Sequence, residues 1–173
     1  MFMKNLSDNQ ITEAIKNFRM PRFYELPNVG LYLDQTTKYI NSFLSPLGCM
    51  EITTSMVSNY VKKGLISNPV KKQYNAEQIA YLFFIAVAKN ALSMENIKKI
   101  IDIQKTSYTN EVAYNYFCSE LENMLFYTFG ITDDVEHIGD TSSDAKTMCR
   151  SMLVAVSHII YLDSLFNYMD KEQ

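Results

Sequence analysis

Apolar positions recur at helical spacing along most of the chain, and the most informative succession of such segments lies between residues 53 and 101. Its first segment begins at Thr53, which offers an oxygen for capping a helix. It ends at Gly64, which can adopt the left-handed conformation that stops a helix. The apolar residues between them fall on one helical face: Met56, Val57, Tyr60 and Val61. The pattern predicts a short helix followed by a tight turn.

A small loop and two more helices follow this turn. Residues 67–69 (SNP) interrupt regular structure, and residues 70–74 are expected to pair back onto residues 65–66 as a two-stranded wing. Asn75 with Gln78 has capping-box spacing at the start of the next helix, and Ser93 caps the helix after that. This order predicts a winged helix-turn-helix, a fold that often binds DNA.

The remaining segments predict further helices. These are a short helix within residues 1–20, a helix over 31–44, a helix over 111–129 and a last helix over 143–169. The last helix is apolar nearly all round over residues 152–166, which indicates deep burial or a subunit interface. The predicted fold is therefore mainly α. Residues 1–105 form a winged helix-turn-helix domain with N-terminal helices, and residues 106–173 form an acidic C-terminal helical region for dimerisation or effector binding.

Charge divides along the same boundary. The net charge of −3 combines 13 basic and 8 acidic residues over 1–105 with 3 basic and 11 acidic residues over 106–173. No acidic residue occurs between Glu51 and Glu77, whereas four lysines do. A basic N-terminal part suits phosphate binding, and an acidic C-terminal part is expected to point away from DNA or to cover the basic part.

These patterns predict a set of DNA-binding residues. The helix that begins near residue 54 would enter the major groove, with Ser55, Ser58 and Asn59 facing base edges. Lysines at the helix end and on the wing would hold phosphates. The complete predicted set is Ser55, Ser58, Asn59, Lys62, Lys63, Lys71, Lys72 and Tyr74.

Three stretches carry a resemblance to the mercury-resistance-regulator (MerR) superfamily. They are YVKKGLI (60–66), KKQY (71–74) and the helix pair EQIAYLFFI with LSMENIKKII. The resemblance implies a DNA-binding winged helix-turn-helix. Ser58 stands where the superfamily usually has arginine and Val61 where it usually has glutamate, while Lys72 retains the charge of the second basic wing position.

A closer resemblance covers most of the chain. The stretches PRFYELPNVGLYLDQTTKYINSFL (21–44) and TTSMVSNYVKKGLISNPVKKQY (53–74) resemble a bacterial family catalogued as domain of unknown function 1836. The proline–aromatic opening and the long helix that follows mark it. This resemblance implies the fold and a regulator-like role, and it supplies no catalytic residues.

Composition favours a cytoplasmic protein. No run of about eighteen apolar residues lacks polar interruptions, and the first ten residues lack the apolar stretch of a signal peptide. We therefore expect no membrane association. Cys49, Cys118 and Cys149 are odd in number and widely spaced, which is typical of buried thiols in a reducing compartment.

Catalytic, metal and cofactor sites are not predicted. His158 lies in the apolar last helix and fits a core or interface position, and the acidic loop around His137 lacks the spacing of a calcium loop. Aromatic and methionine residues near the C-terminus are interpreted first as core, with an effector pocket for an unknown small molecule as the alternative.

We therefore expect a DNA-binding transcriptional regulator that forms a homodimer and is not an enzyme. The alternative is a non-catalytic protein-interaction module that keeps the winged fold without binding DNA. The serine at Ser58 and the net negative charge favour this alternative.

Overall fold

A computed structural model describes residues 10–139 and 142–171 of the protein. This part of the chain contains seven α-helices, one two-stranded antiparallel sheet and two 3-10 turns, Phe23–Glu25 and Ser45–Leu47. In chain order the helices and strands are α1 (Gln10–Lys16), β1 (Leu31–Tyr32), α2 (Leu33–Leu44), α3 (Thr54–Lys62), β2 (Gln73–Tyr74), α4 (Ala76–Ala88), α5 (Met94–Ser107), α6 (Asn110–Thr128) and α7 (Asp144–Lys171).

The mainly α prediction is confirmed, and most helices lie where their patterns placed them. Helices α6 and α7 begin within one residue of the predicted positions. The helix predicted within residues 1–20 is observed as α1, and residues 1–9 lie outside the described part of the chain. The helix predicted over 31–44 begins two residues later, because its first two residues form β1 instead.

Side-chain caps begin the helices as their sequences predict. The Thr53 hydroxyl accepts a hydrogen bond from the Met56 amide at 3.2 Å. At the start of α4, the Gln78 amide donates to Asn75 Oδ1 and the Asn75 amide donates to Gln78 Oε1, both at 2.9 Å. This reciprocal pair satisfies two amides that the first turn of a helix leaves unpaired.

Gly64 ends α3 through paired backbone hydrogen bonds. Its φ is +72°, its amide donates to the Val61 carbonyl at 3.0 Å, and the Leu65 amide donates to the Tyr60 carbonyl at 3.0 Å. These two bonds define a Schellman motif. Leu65 and Ile66 are both buried, so the motif directs the chain from the end of α3 back into the core.

The wing predicted from the sequence is wrong in its pairing. Residues 70–74 do not pair with Leu65 and Ile66; instead β2 pairs with β1, in the antiparallel register Leu31↔Tyr74 and Tyr32↔Gln73. Two consecutive buried residues do not suit a strand with one exposed face, because strand side chains alternate between faces. Gly30 permits the observed pairing, because a Cβ there would lie 2.7 Å from Gln73 Cβ.

Helix α4 lies at the centre of the core. Only Glu77 among its 13 residues is exposed, and Ile79, Phe83 and Val87 are completely buried. Helices α2, α6 and α7 pack against it. One hydrophobic core therefore contains residues from both sides of the predicted boundary at Lys105.

The opening segment is fixed to α6 by an ion pair between residues far apart in sequence. Arg22 Nη1 and Nη2 lie 2.8 and 2.7 Å from Glu122 Oε1 and Oε2, and the Met20 amide donates to Glu122 Oε1 at 2.8 Å. The Phe23 amide donates to Asn115 Oδ1 at 2.9 Å, and Asn115 lies about two helical turns before Glu122 on α6. Bidentate pairing fixes orientation as well as position, so this segment has a defined seat on α6.

By length and composition alone, helix α7 is long and apolar enough to cross a membrane. In the fold, 39% of its apolar 18-residue stretch is buried. It packs along α6 and contributes Leu153, Val156 and Ile160 to the core. Val154, Leu162 and Phe166 on the same helix are exposed. Of the two predicted alternatives, deep burial is found on one face only, and the subunit interface stays a prediction.

Replacing Gly64 with alanine is expected to destabilise the protein by about 1–2 kcal/mol, because a Cβ disfavours the left-handed backbone. No atom lies within 4 Å of the added Cβ, so the backbone conformation alone accounts for this loss. Gly64→Asn is the matched control, because asparagine tolerates positive φ better. Urea unfolding measures both variants. Equal stability of Gly64→Ala and the wild type would contradict the assignment.

Candidate nucleic-acid interface

One exposed stripe of α3 carries all three predicted base-contacting residues and one predicted phosphate-binding lysine. Ser55, Ser58, Asn59 and Lys62 are spaced i, i+3, i+4 and i+7, so they share one helical face, and all four are exposed. The opposite face is buried through Val57 and Tyr60, which are 0% and 4% exposed. Packing therefore fixes which face of α3 is presented to solvent.

The stripe continues to the end of α3 and to the neighbouring helix. Lys63 is the C-terminal capping residue of α3 and is also exposed. The Asn59 side-chain amide contacts the Met94 sulfur at 3.9 Å, at the first residue of α5. The polar stripe is therefore bordered by the start of α5.

A two-residue hairpin turn presents the other two lysines. The Gln73 amide donates to the Val70 carbonyl at 2.9 Å, and the Val70 amide donates to the Gln73 carbonyl at 3.1 Å. The intervening Lys71 and Lys72 have φ values of 50° and 64°. Two consecutive positive φ values are typical of a type I′ turn, in which Asn-Gly is the preferred pair.

The lysine pair strains this turn. A residue with a Cβ in the left-handed region destabilises the folded state by on the order of 1 kcal/mol relative to glycine. Both lysines are exposed, and the side chain of neighbouring Val70 is 72% exposed. The turn therefore holds two charged side chains in solvent at some loss of stability.

Gln78 anchors the base of the hairpin to α4. Its side chain is 4% exposed, and its Nε2 donates to the Ser67 carbonyl at 3.0 Å and to the Asn68 carbonyl at 3.2 Å. The same side chain completes the cap at Asn75. One buried amide thus sets both the start of α4 and the path of the chain into the hairpin.

The lysines of α3 and the hairpin have no acidic partners in the described part of the chain. None of Lys62, Lys63, Lys71 and Lys72 forms an ion pair within residues 10–139 and 142–171. By contrast, Lys98 pairs with Asp102 on α5, and Lys99 pairs with Glu95. The surface formed by α3 and the hairpin therefore carries positive charge that the fold itself does not neutralise.

Tyr74 differs from the other seven predicted contact residues. Its side chain is 4% exposed, because β2 turns it into the core, and this burial raises the pKa of its hydroxyl. A buried ring cannot lie against a nucleic acid, so Tyr74 is assigned to the core. The seven others are exposed: Ser55, Ser58, Asn59, Lys62, Lys63, Lys71 and Lys72.

The three cysteines and the two histidines do not form a catalytic arrangement. All three thiols are free, and burial raises the pKa of Cys118 and of Cys149 to about 12. These two thiols are therefore unreactive at neutral pH. His158, predicted as a core or interface residue, is exposed on α7. No group of metal-binding side chains is found in the described ranges.

Comparison with known proteins identifies the family. A family model described as "Domain of unknown function (DUF1836)" matches residues 21–117, more than half of the 173-residue chain. The chain belongs to this family. The matched region runs from the segment seated on α6 through α3 and the hairpin to Phe117, and it ends before Glu122 and α7. No curated protein and no solved structure matches the chain.

Sequence patterns did not indicate three of these features. The left-handed turn lacked its usual Asn-Gly signal, and Gly30 has no motif that marks close contact with a strand. Gln78 was found as a capping residue, but its second role depends on where residues 67–68 lie. The alternation of Gln73 and Tyr74 between faces was the one signal for the burial of Tyr74.

Replacing Lys71 with asparagine and Lys72 with glycine is expected to raise the free energy of unfolding by about 1 kcal/mol, because both residues suit the type I′ turn. The matched control, Lys71→Gln with Lys72→Gln, removes the same charges and keeps the strain. Chemical unfolding compares the two variants. Equal stability of the variants would contradict the turn strain.

Proposed function

We propose that the protein is a DNA-binding transcriptional regulator with a MerR-like winged helix-turn-helix, in which α3 enters the major groove. The observation that carries the proposal is the set of seven exposed polar and basic side chains on α3 and the hairpin tip, whose lysines have no acidic partner among the described residues. An α-helix fits the major groove, and lysines without partners can bind phosphates in place of counterions.

Each group of side chains has a distinct role in this proposal. Ser55, Ser58 and Asn59 face base edges, where an asparagine amide matches the donor and acceptor pattern of adenine. Lys62 and Lys63 at the helix end bind the backbone of the same groove. Phosphate contacts fix the orientation of the helix, whereas base contacts select the sequence.

The hairpin serves as the wing. It is joined through β2 to the strand that precedes α2, and Gln78 holds its base, so its tip projects from a fixed support. Strain in a backbone is characteristic of functional positions. Two lysines in a turn that favours Asn-Gly support a role that requires charge at this position.

The proposal includes a homodimer formed through α7. Exposed apolar or small residues recur at seven-residue intervals on this helix: Met148, Ala155, Leu162 and Met169. Phe166, four residues after Leu162, is also exposed. A repeat of apolar residues every seven positions suits packing against a second helix. A dimer would present its two copies of α3 to the two half-sites of a DNA operator. The proposed location of the protein is the cytoplasm.

The alternative function is a non-catalytic interaction module that keeps the winged fold. Ser58 in place of an arginine removes the strongest type of phosphate contact on α3, and the net charge of −3 opposes binding to a polyanion. In that case the exposed face of α7 would be the main binding surface.

Replacing Lys71 and Lys72 together with alanine is expected to weaken binding to all duplexes similarly, because phosphate contacts carry no base information. The slope of log affinity against log salt should fall by about 0.9 per contact, or about 1.8 for the pair. Fluorescence anisotropy on a selected duplex and on its scrambled version, at several salt concentrations, measures both effects.

Two further variants complete this test. Lys98→Ala with Lys99→Ala removes the same charge from α5 and should leave the slope nearly unchanged. Asn59→Ala should reduce the preference for the selected duplex and retain binding to the scrambled one. If the wild type binds no duplex in a salt-dependent manner, the interaction module replaces the regulator.

Sedimentation equilibrium at micromolar concentration is expected to show a dimer. Leu162→Gln with Phe166→Gln should shift the protein towards monomer, because both substitutions remove exposed apolar surface from the proposed interface. Asn167→Gln, at an exposed polar position on the same helix, is the control. A monomeric wild type would contradict the proposed dimer.

A further inference from the structure

We infer that a cavity between α6, α7 and the loop before α7 is a binding site for a small organic anion that carries a carboxylate or phosphate group. The cavity has a volume of about 320 Å³, which lies at the lower end of the range for small-molecule sites. The side chains that carry the argument are Tyr116, His137, Lys146 and Arg150, all of which line it.

A buried carboxylate orients one of these basic groups. Glu120 is 0% exposed, and Arg150 Nε lies 3.1 Å from Glu120 Oε1. The guanidinium therefore meets this carboxylate through its Nε. Terminal guanidinium nitrogens bind carboxylate and phosphate groups through paired hydrogen bonds. Glu120 is therefore a positioning residue for Arg150.

Glu120 is not a simple structural ion pair. Both of its carboxylate oxygens are buried, and neither makes a hydrogen bond of good geometry in the described ranges, although the Asn123 side chain lies close enough to lower the pKa of Glu120. Burial raises the pKa of Glu120, and Arg150 acts in the opposite direction. A buried carboxylate with so few partners is destabilising, and such groups concentrate at functional sites.

Lys146 is fixed beside the same cavity without an acidic partner in the described residues. Its Nζ lies 5.4 Å from the centre of the Tyr116 ring and 5.9 Å from that of Tyr108. A Cβ on Gly139 would lie 2.7 Å from this Nζ, so the glycine leaves room for the ammonium group. Aromatic faces position a cation without neutralising its charge.

The remaining wall supplies the hydroxyl of Tyr116 and a loop segment that is held at Glu136. Burial raises the pKa of Tyr116 to about 12, so its hydroxyl stays protonated at neutral pH and can donate. Asn123 holds the loop next to His137, because its side-chain amide donates to the Glu136 carbonyl at 2.8 Å and accepts from the Glu136 amide at 2.9 Å.

The charges favour an anion over a cation. Among the described residues at the cavity, Lys146 and Arg150 contribute two positive charges, and the buried Glu120 contributes one negative charge behind Arg150. The excess positive charge and the donor hydroxyl match a carboxylate or phosphate, and the Tyr116 ring offers an apolar surface for the remainder of the ligand. The inference that an anion binds this cavity does not depend on DNA binding. An effector role for the anion rests on the proposed function.

The test uses the full chain, with benzoate and inorganic phosphate as probes at constant ionic strength. Only two histidines are present, so the ring signals of His137 and His158 can be assigned in NMR spectra with His158→Gln. At least one probe is expected to shift the His137 signals saturably, and the responding probe identifies the anionic group. The His158 signals should stay unchanged.

Lys146→Met is expected to weaken this binding by about tenfold or more, as loss of a charged hydrogen-bond donor does. Glu120→Gln, which keeps Lys146, should weaken it through the loss of Arg150 orientation. Lys171→Met, on the same helix, is the control and should bind like the wild type. Circular dichroism verifies the fold of each variant.

Two results would overturn the inference: no saturable shift of His137 with either probe beyond that caused by sodium chloride, or equal affinity in wild type and Lys146→Met. A parallel measurement of DNA affinity with and without the responding probe tests the effector role. Absence of DNA binding would leave the NMR result intact, so the two proposals fail separately.

Discussion

Burial of α4 is the constraint on which the rest of the structure depends. A helix with one exposed residue among 13 must be covered on every side, and α2, α6 and α7 cover it. The buried polar side chain of α4 is Gln78, near its N-terminal cap. Both polar atoms of this side chain form hydrogen bonds. The hydrophobic effect therefore determines how the helices pack. The side-chain amide of Gln78 determines the path of the chain from the core into the hairpin.

This arrangement separates stability from the proposed function. Apolar side chains of α3 face the core through Val57 and Tyr60, so its polar stripe can vary without loss of packing. At the hairpin tip stability and the proposed function are not separate, because Lys71 and Lys72 carry the charge and also occupy a strained turn. The ion pair between Arg22 and Glu122 fixes the opening segment on α6.

Features that depend on neighbours in sequence could be predicted, whereas those that depend on neighbours in space could not. The caps at Thr53 and Asn75 and the helix end at Gly64 were confirmed, because each follows from residues a few positions apart. The pairing of β2 with β1 joins residues about forty positions apart, and no local pattern specifies it. The pairing of Glu120 with Arg150 was missed for the same reason.

The central claim is that α3 and the hairpin form one DNA-binding surface, and amide chemical-shift mapping tests it most directly. The wild-type chain would be titrated with a duplex selected from a random pool, at low salt. The account predicts that the largest shifts fall within residues 54–63 and 67–73, with little change on the exposed face of α7. Shifts confined to α7, or no shifts with any duplex, would contradict it.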